Sequence, residues 1–303
     1  MVKVAILLTG QLRTWKLCRN LVDKLKDIYN VDIFMSINRN NILQNEHKNS
    51  NIDTEIKEII EAIDYYKPID YSILENYNET EFIKNINKHK TIYTPINDIN
   101  MIKYFNENEE LIFDKLYSTD GCIKHTSDES TNVYKLLGEQ YYTVFKAYEM
   151  LEKYINKTNI LYDIIIRLRF DQFIWNNDCI DEYNLDFKDN NIIYNNANID
   201  RCKNTHINII LDHGDYNTIN VFGGGYYKNY AYINDQFWCH KADLIEKMKL
   251  FYIDMPNIIN KCKDVFYPEY GCWIEHFLCN YIIQNNINIK RSCLKGVFVR
   301  QKV

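Results

Sequence analysis

The chain has 303 residues, 46% of them apolar and 25% charged, so wholesale disorder is excluded and there is length for one large core or two modest ones. Only nine Gly and four Pro are present, which excludes collagen-like, Pro-rich and Gly/Ser-linker architectures. A net charge of −5 argues against a dedicated nucleic-acid coat, which needs a broad basic surface.

Residues 2–9 are apolar and β-branched and end at Thr9-Gly10, which predicts a buried strand and a turn. A helix is expected next, with Leu17, Leu21, Leu25 and Ile28 on its apolar stripe and Thr14 as its cap. A second apolar strand over 31–37 completes a β-α-β unit, whose crossover is expected to be right-handed and parallel. Residues 38–130 read as an insertion of short helices and Asn-rich loops, with a strand near 69–74. From 132 to 156, Val133, Leu137, Tyr141, Val144, Tyr148, Leu151 and Ile155 recur at spacings of three and four, the pattern of a long helix. The strongest strand, over 162–171, is Tyr-Asp-Ile-Ile-Ile-Arg-Leu-Arg-Phe-Asp. Weaker strands follow near 191–194, 208–211 and 218–222, then helices near 241–252 and 270–283 and a last strand over 287–299. Strands alternating with helices predict an α/β fold on a mainly parallel sheet.

The nine cysteines are scattered and form no C-x-x-C pair, so a zinc ribbon, a thioredoxin-like site or a disulfide framework is not expected. The apolar run at the amino terminus is too short for a signal peptide, and no stretch approaches the ~18 apolar residues of a membrane span. A soluble protein of a reducing compartment is expected. Asn (39) and Ile (44) are over-used and Lys outnumbers Arg 28 to 8, the signature of AT-rich coding. The scarce residues therefore carry the information, above all Arg13, Arg167, Arg169 and the run Gly223-Gly224-Gly225.

Side chains alternate along a strand, so Arg167, Arg169 and Asp171 share one face. A strand buried on both faces should be apolar on both. Charges at its carboxyl end lie where open α/β sheets bind ligands: arginines suit phosphate oxygens, and Asp171 suits a ribose hydroxyl or a metal ion. The competing reading is a buried Arg–Asp pair that fastens the sheet. Arg13, just past the first strand, is either a second phosphate contact beside Gly10 and a helix amino terminus or a plain surface arginine. Neither a P-loop nor G-x-G-x-x-G is present.

The glycine run suggests a backbone approached closely by a ligand. Asp235 and Gln236, in Asn234-Asp235-Gln236-Phe237-Trp238, suit sugar hydroxyls, although Asp235 also suits a helix cap. Glu269 and Glu275 open the last helix, where a carboxylate at the start is favoured by the dipole alone. Beyond Glu275 the chain is basic, with Lys290, Arg291, Lys295, Arg300 and Lys302. This segment (276–303) reads as a solvated tail, as a cover over a phosphate or as a contact for an anionic surface. Metal-ligand histidine spacing and a G-x-S-x-G elbow are both missing.

Together these motifs (Thr-Gly-Gln-Leu-Arg, the Arg-Leu-Arg-Phe-Asp strand end, Gly-Gly-Gly, Asn-Asp-Gln-Phe-Trp and Pro-Glu before a helix) resemble GT-A-type nucleotide-sugar glycosyltransferases, closest to lipopolysaccharide-synthesis-like and giant-virus members. The resemblance implies a single Rossmann-type domain over 1–303, with 38–130 as an insertion. It implies that Thr9, Gly10, Gln11, Arg13, Arg167, Arg169 and Asp171 hold the nucleotide, with Asp171 also at the Mn²⁺ or Mg²⁺ position. It assigns Gly223, Gly224, Gly225, Asp235 and Gln236 to the donor sugar. Asp235, Glu269 and Glu275 are the candidate catalytic carboxylates. The implied partners are a nucleotide-sugar donor, with UDP as the expected nucleotide, and a glycan or small hydroxyl acceptor; the implied location is the cytoplasm, or a host's if the source is viral. The family's D-x-D is missing, and Arg169 stands where its first Asp belongs. The cation is thus either held by one carboxylate plus pyrophosphate or replaced by arginines and the basic tail. A decayed, non-catalytic nucleotide- or glycan-binding protein is the alternative expectation, and a purely structural α/β protein a third.

Overall fold

A computed structural model describes residues 2–39, 52–75, 77, 101–105, 111–114, 127–175, 192–195, 216–221, 224–227, 230–233, 235–262, 274–291 and 295–301. The frame is a seven-stranded sheet. Its strands are β1 (Lys3–Gly10), β2 (Asn30–Asn38), β3 (Asp70–Leu74), β6 (Ile164–Arg169), β9 (Thr218–Val221), β12 (Trp238–His240) and β13 (Asn288–Arg291). Their order is β13-β9-β12-β6-β1-β2-β3, and only β12 runs against the other six. The expected mainly parallel α/β sheet is therefore present.

Strand periodicity splits the core into two layers. Val4, Ile6 and Leu8 of β1 and Ile164, Ile166 and Leu168 of β6 face α1 (Trp15–Cys18), α2 (Asn20–Ile28) and α3 (Ile52–Tyr66). Ala5, Leu7 and Ile165 face α4 (Ser127–Thr158), α5 (Ile245–Cys262) and α6 (Ile274–Gln284). Helices thus cover both faces, as parallel strands require. Of the predicted stripe of α4, Tyr141, Val144, Tyr148 and Leu151 are buried and Ile155 is partly buried, while the side chains of Val133 and Leu137 lie outside the described residues.

Three expectations are corrected. The helix after β1 breaks at Arg19, which rotates the stripe: Trp15, Cys18, Leu21, Val22 and Leu25 are buried, while Leu17 and Ile28 are exposed. Thr14 does not cap it, and its hydroxyl lies 3.9 Å from Cys18 Sγ instead. Residues 52–74 are not insertion, because α3 packs on the sheet and β3 extends it beside β2. Within 38–130 the other described strands are the hairpin β4 (Met101–Phe105) and β5 (Leu111–Asp114).

The basic C-terminal segment is likewise no free tail. β13 joins the main sheet, and β14 (Lys295–Gln301) pairs between β7 (Gln172–Trp175) and β8 (Ile192–Asn195). The strand expected near 208–211 lies outside the described residues.

Candidate functional site

β1 and β6 are adjacent and parallel, with Thr9 opposite Arg169 and Leu7 opposite Arg167. The chain leaves β1 for β2 and β3 on one side, whereas β6 lies on the other. This is the point where strand order reverses, the position beyond which open α/β sheets in general bind ligands. Here Gly10 has φ 105°, a conformation that side-chain-bearing residues rarely adopt, and a Cβ built on it would meet no described atom within 4 Å. Arg13 also has a positive φ, 38°, uncommon for a residue with a side chain. Its Nε donates to Gln11 Oε1 at 2.8 Å, fixing the guanidinium over the strand ends.

Asp171 is the hub. Its carboxylate accepts Arg169 Nε at 2.9 Å and Nη2 at 3.0 Å, a bidentate pair, and Arg13 Nη1 at 3.0 Å. Asp171 is only 1% exposed, whereas the side chains of Arg13 and Arg169 each keep 15%. A divalent cation on this carboxylate would sit against two guanidiniums, and a single unit of like charge at about 4 Å costs ~4 kcal/mol at an effective dielectric constant of about 20. The residues present do not fit the metal role expected of Asp171. Among the described residues no three His, Cys, Asp or Glu side chains cluster closely enough to hold a metal.

Face-sharing predicted that Arg167, Arg169 and Asp171 open together at the strand end, but Arg167 and Asp171 are both buried and only Arg169 keeps some exposure. Arg167 is 1% exposed and stacks on the Trp238 ring, its guanidinium carbon 4.6 Å from the ring centroid. Its Nε donates to Thr9 Oγ1 at 3.1 Å and its Nη1 to the Asp235 carbonyl. The antiparallel pairing that sets Trp238 opposite Arg167 produces this lid. Burial pulls the Arg167 pKa below its usual value, yet the group starts so high that it stays charged. Arg167 is thus buried, bonded to a hydroxyl and a backbone carbonyl, and ties the end of β1 to the segment carrying Asp235, whereas the Arg–Asp pair of the competing reading is formed by Arg169 and Asp171.

That segment leaves the hairpin of β10 (Gly224–Tyr227) and β11 (Tyr230–Ile233), in which Gly224 and Gly225 are ladder residues opposite Ile233 and Tyr232. Asp235 is 4% exposed, and its Oδ2 accepts Gln140 Nε2 at 2.7 Å and Tyr141 Oη at 3.1 Å. It is therefore held by α4 and does not cap the following turn of 242–244, which starts beyond β12. Gln236 Oε1 accepts Gln172 Nε2 at 3.2 Å, and the buried Gln172 Oε1 has no hydrogen-bond partner among the described residues.

Thr9, Gly10, Gln11, Arg13, Arg167, Arg169, Asp171, Asp235 and Gln236 thus come together from three separate segments. Gly223 and Glu269 lie outside the described residues, and Glu275 is described only as backbone near the start of α6. Gln140, Tyr141 and Gln172 were not anticipated. Helical spacing alone places Tyr141 in the core, and nothing in the local sequence distinguishes Gln172, which follows the charged strand end.

No family model matches the chain, and no curated protein matches it. Among the described residues no helix is long and apolar enough to cross a membrane.

Proposed function

We propose that the chain is a GT-A-like glycosyltransferase that moves a sugar from a nucleoside-diphosphate donor, UDP first among the candidates, to a hydroxyl of a glycan or small acceptor. One observation carries the reading: Arg13, Arg169 and Asp171 converge from the ends of two parallel strands where the strand order reverses, beside Gly10, whose built Cβ meets no described atom within 4 Å. A crevice of that kind suits a nucleotide, and planar guanidiniums suit its phosphates. Asp235 and Gln236, at the same strand ends, offer oxygens and an amide to sugar hydroxyls.

In the transfer, the bond from the anomeric carbon to the diphosphate oxygen breaks and its electron pair leaves with the diphosphate. A bond from the acceptor oxygen to that carbon forms, and the acceptor proton passes to a carboxylate in an inverting reaction. Asp235 is the first candidate for that proton and Glu269 the second; Glu275 is the alternative facing the acceptor. In a retaining reaction Asp235 contacts the donor sugar instead. Cationic groups at the diphosphate stabilise the charge that develops on departure.

The second reading is a protein that binds nucleotide or glycan without turnover. The grip of Gln140 and Tyr141 on the Asp235 carboxylate favours it. A thermal-shift panel of UDP-, GDP- and CDP-sugars, followed by assay of donor hydrolysis, separates the two. Stabilisation of about 2.7 kcal/mol is expected at one hundred times Kd. Binding with slow hydrolysis supports the transferase, and binding without it supports the second reading. The absence of any shift would sink both.

A further inference from the structure

Two guanidiniums meeting at one buried carboxylate are an unusual way to finish a pair of strands. Arg169 grips Asp171 through Nε and Nη2, and Arg13 closes on Oδ2 from beyond the carboxyl end of the adjacent strand. Side by side without the carboxylate, the two cations would repel each other. With it they form a fixed unit of net charge +1, whose anion is sealed and whose cations keep the exposed edges. Gln11 and the left-handed backbone of Arg13 hold the second guanidinium in place before any ligand arrives. A planar fork presents paired N–H groups to phosphate oxygens, which an ammonium does not.

We infer that Arg13 and Arg169, held as a pair by the buried Asp171, take the charge of a nucleoside diphosphate in place of a divalent cation. Asp171 is then a positioning residue, not a ligand. This rests on the nucleotide reading above and deepens it: donor binding is independent of metal.

The test is calorimetric titration of the full chain with UDP, GDP, CDP and inorganic pyrophosphate, in EDTA and again in Mn²⁺ or Mg²⁺. The expected result is the same affinity in both, with Arg13→Ala and Arg169→Ala each weakening binding by about tenfold or more. Arg13→Lys, which keeps the charge and loses the fork, is expected to weaken it as well. Asp171→Asn separates positioning from plain electrostatics. It removes a negative charge beside an anion, so electrostatics alone would tighten binding, whereas a lost scaffold weakens it. Tighter binding by Asp171→Asn overturns the positioning role. Should that variant fail to fold, the Arg13→Lys titration still answers, and unchanged affinity there overturns the clamp. Binding that appears only with a divalent cation overturns the clamp and leaves the nucleotide reading standing. Failure of every diphosphate under both conditions overturns the two together.

Discussion

The Arg167 guanidinium lies against the indole of Trp238, 4.6 Å from its ring centroid, and the two residues face each other across an antiparallel pair of strands. A buried cation over an indole is worth about 2 kcal/mol when desolvated. A double-mutant cycle with Arg167→Met and Trp238→Leu, read by urea unfolding, is therefore expected to give a coupling energy of about 1–2 kcal/mol. A coupling near zero would make the stack incidental.

The same indole begins a relay with a pH consequence. Trp238 Nε1 donates to Tyr148 Oη at 3.0 Å, Tyr148 donates to His240 Nε2 at 2.7 Å, and His240 Nδ1 donates to the Lys241 carbonyl at 2.6 Å. Nε2 must stay unprotonated to accept, and burial pushes the His240 pKa down to about 4 from its ordinary 6.5. The unfolded chain binds the proton first, so stability is full above about pH 6.5. It falls as pH drops toward 4, by about 3 kcal/mol in all from this residue, and levels below. Unfolding curves across that window, compared with those of His240→Gln, check it: the variant is expected to lose this part of the slope.

Gly10 takes a backbone angle of 105°, and among the described residues no atom lies within 4 Å of where a Cβ would be. Gly10→Ala is therefore costly through the backbone and not through a clash. A loss of about 1–3 kcal/mol is expected from chemical denaturation, together with weaker nucleotide binding as the Thr9–Arg13 turn shifts. Unchanged stability would show that the turn tolerates side chains.

Asp235 separates chemistry from binding. If it accepts the acceptor's proton, Asp235→Asn keeps the shape held by Gln140 and Tyr141 and loses the base. Transfer is expected to slow by about 10²–10⁴-fold with nucleotide affinity retained. Full activity in this variant would move the role to Glu269.

Local periodicity carried much of the fold. Alternation over Ile164–Asp171 revealed the strand, its two faces and the oddity of its charges, and spacings of three and four revealed the face of α4, because both depend only on neighbours along the chain. The convergence of Thr9–Arg13, Arg169–Asp171 and Asp235–Gln236 was legible once strand ends were assigned. Partners across the sheet were not. Nothing near Arg167 in the chain says that Trp238 will cover it, that Asp171 will spend its oxygens on Arg13 and Arg169, or that Gln140 and Tyr141 will hold Asp235. Nor does the composition of residues 52–74 tell an inserted lobe from an edge of the main sheet. Whether a charge meets solvent, a ligand or another side chain is settled by residues remote in sequence, since burial and pairing belong to the packed layers. The amino-acid order determined which segments end in charge, and tertiary pairing alone decided which of those charges remain at the surface.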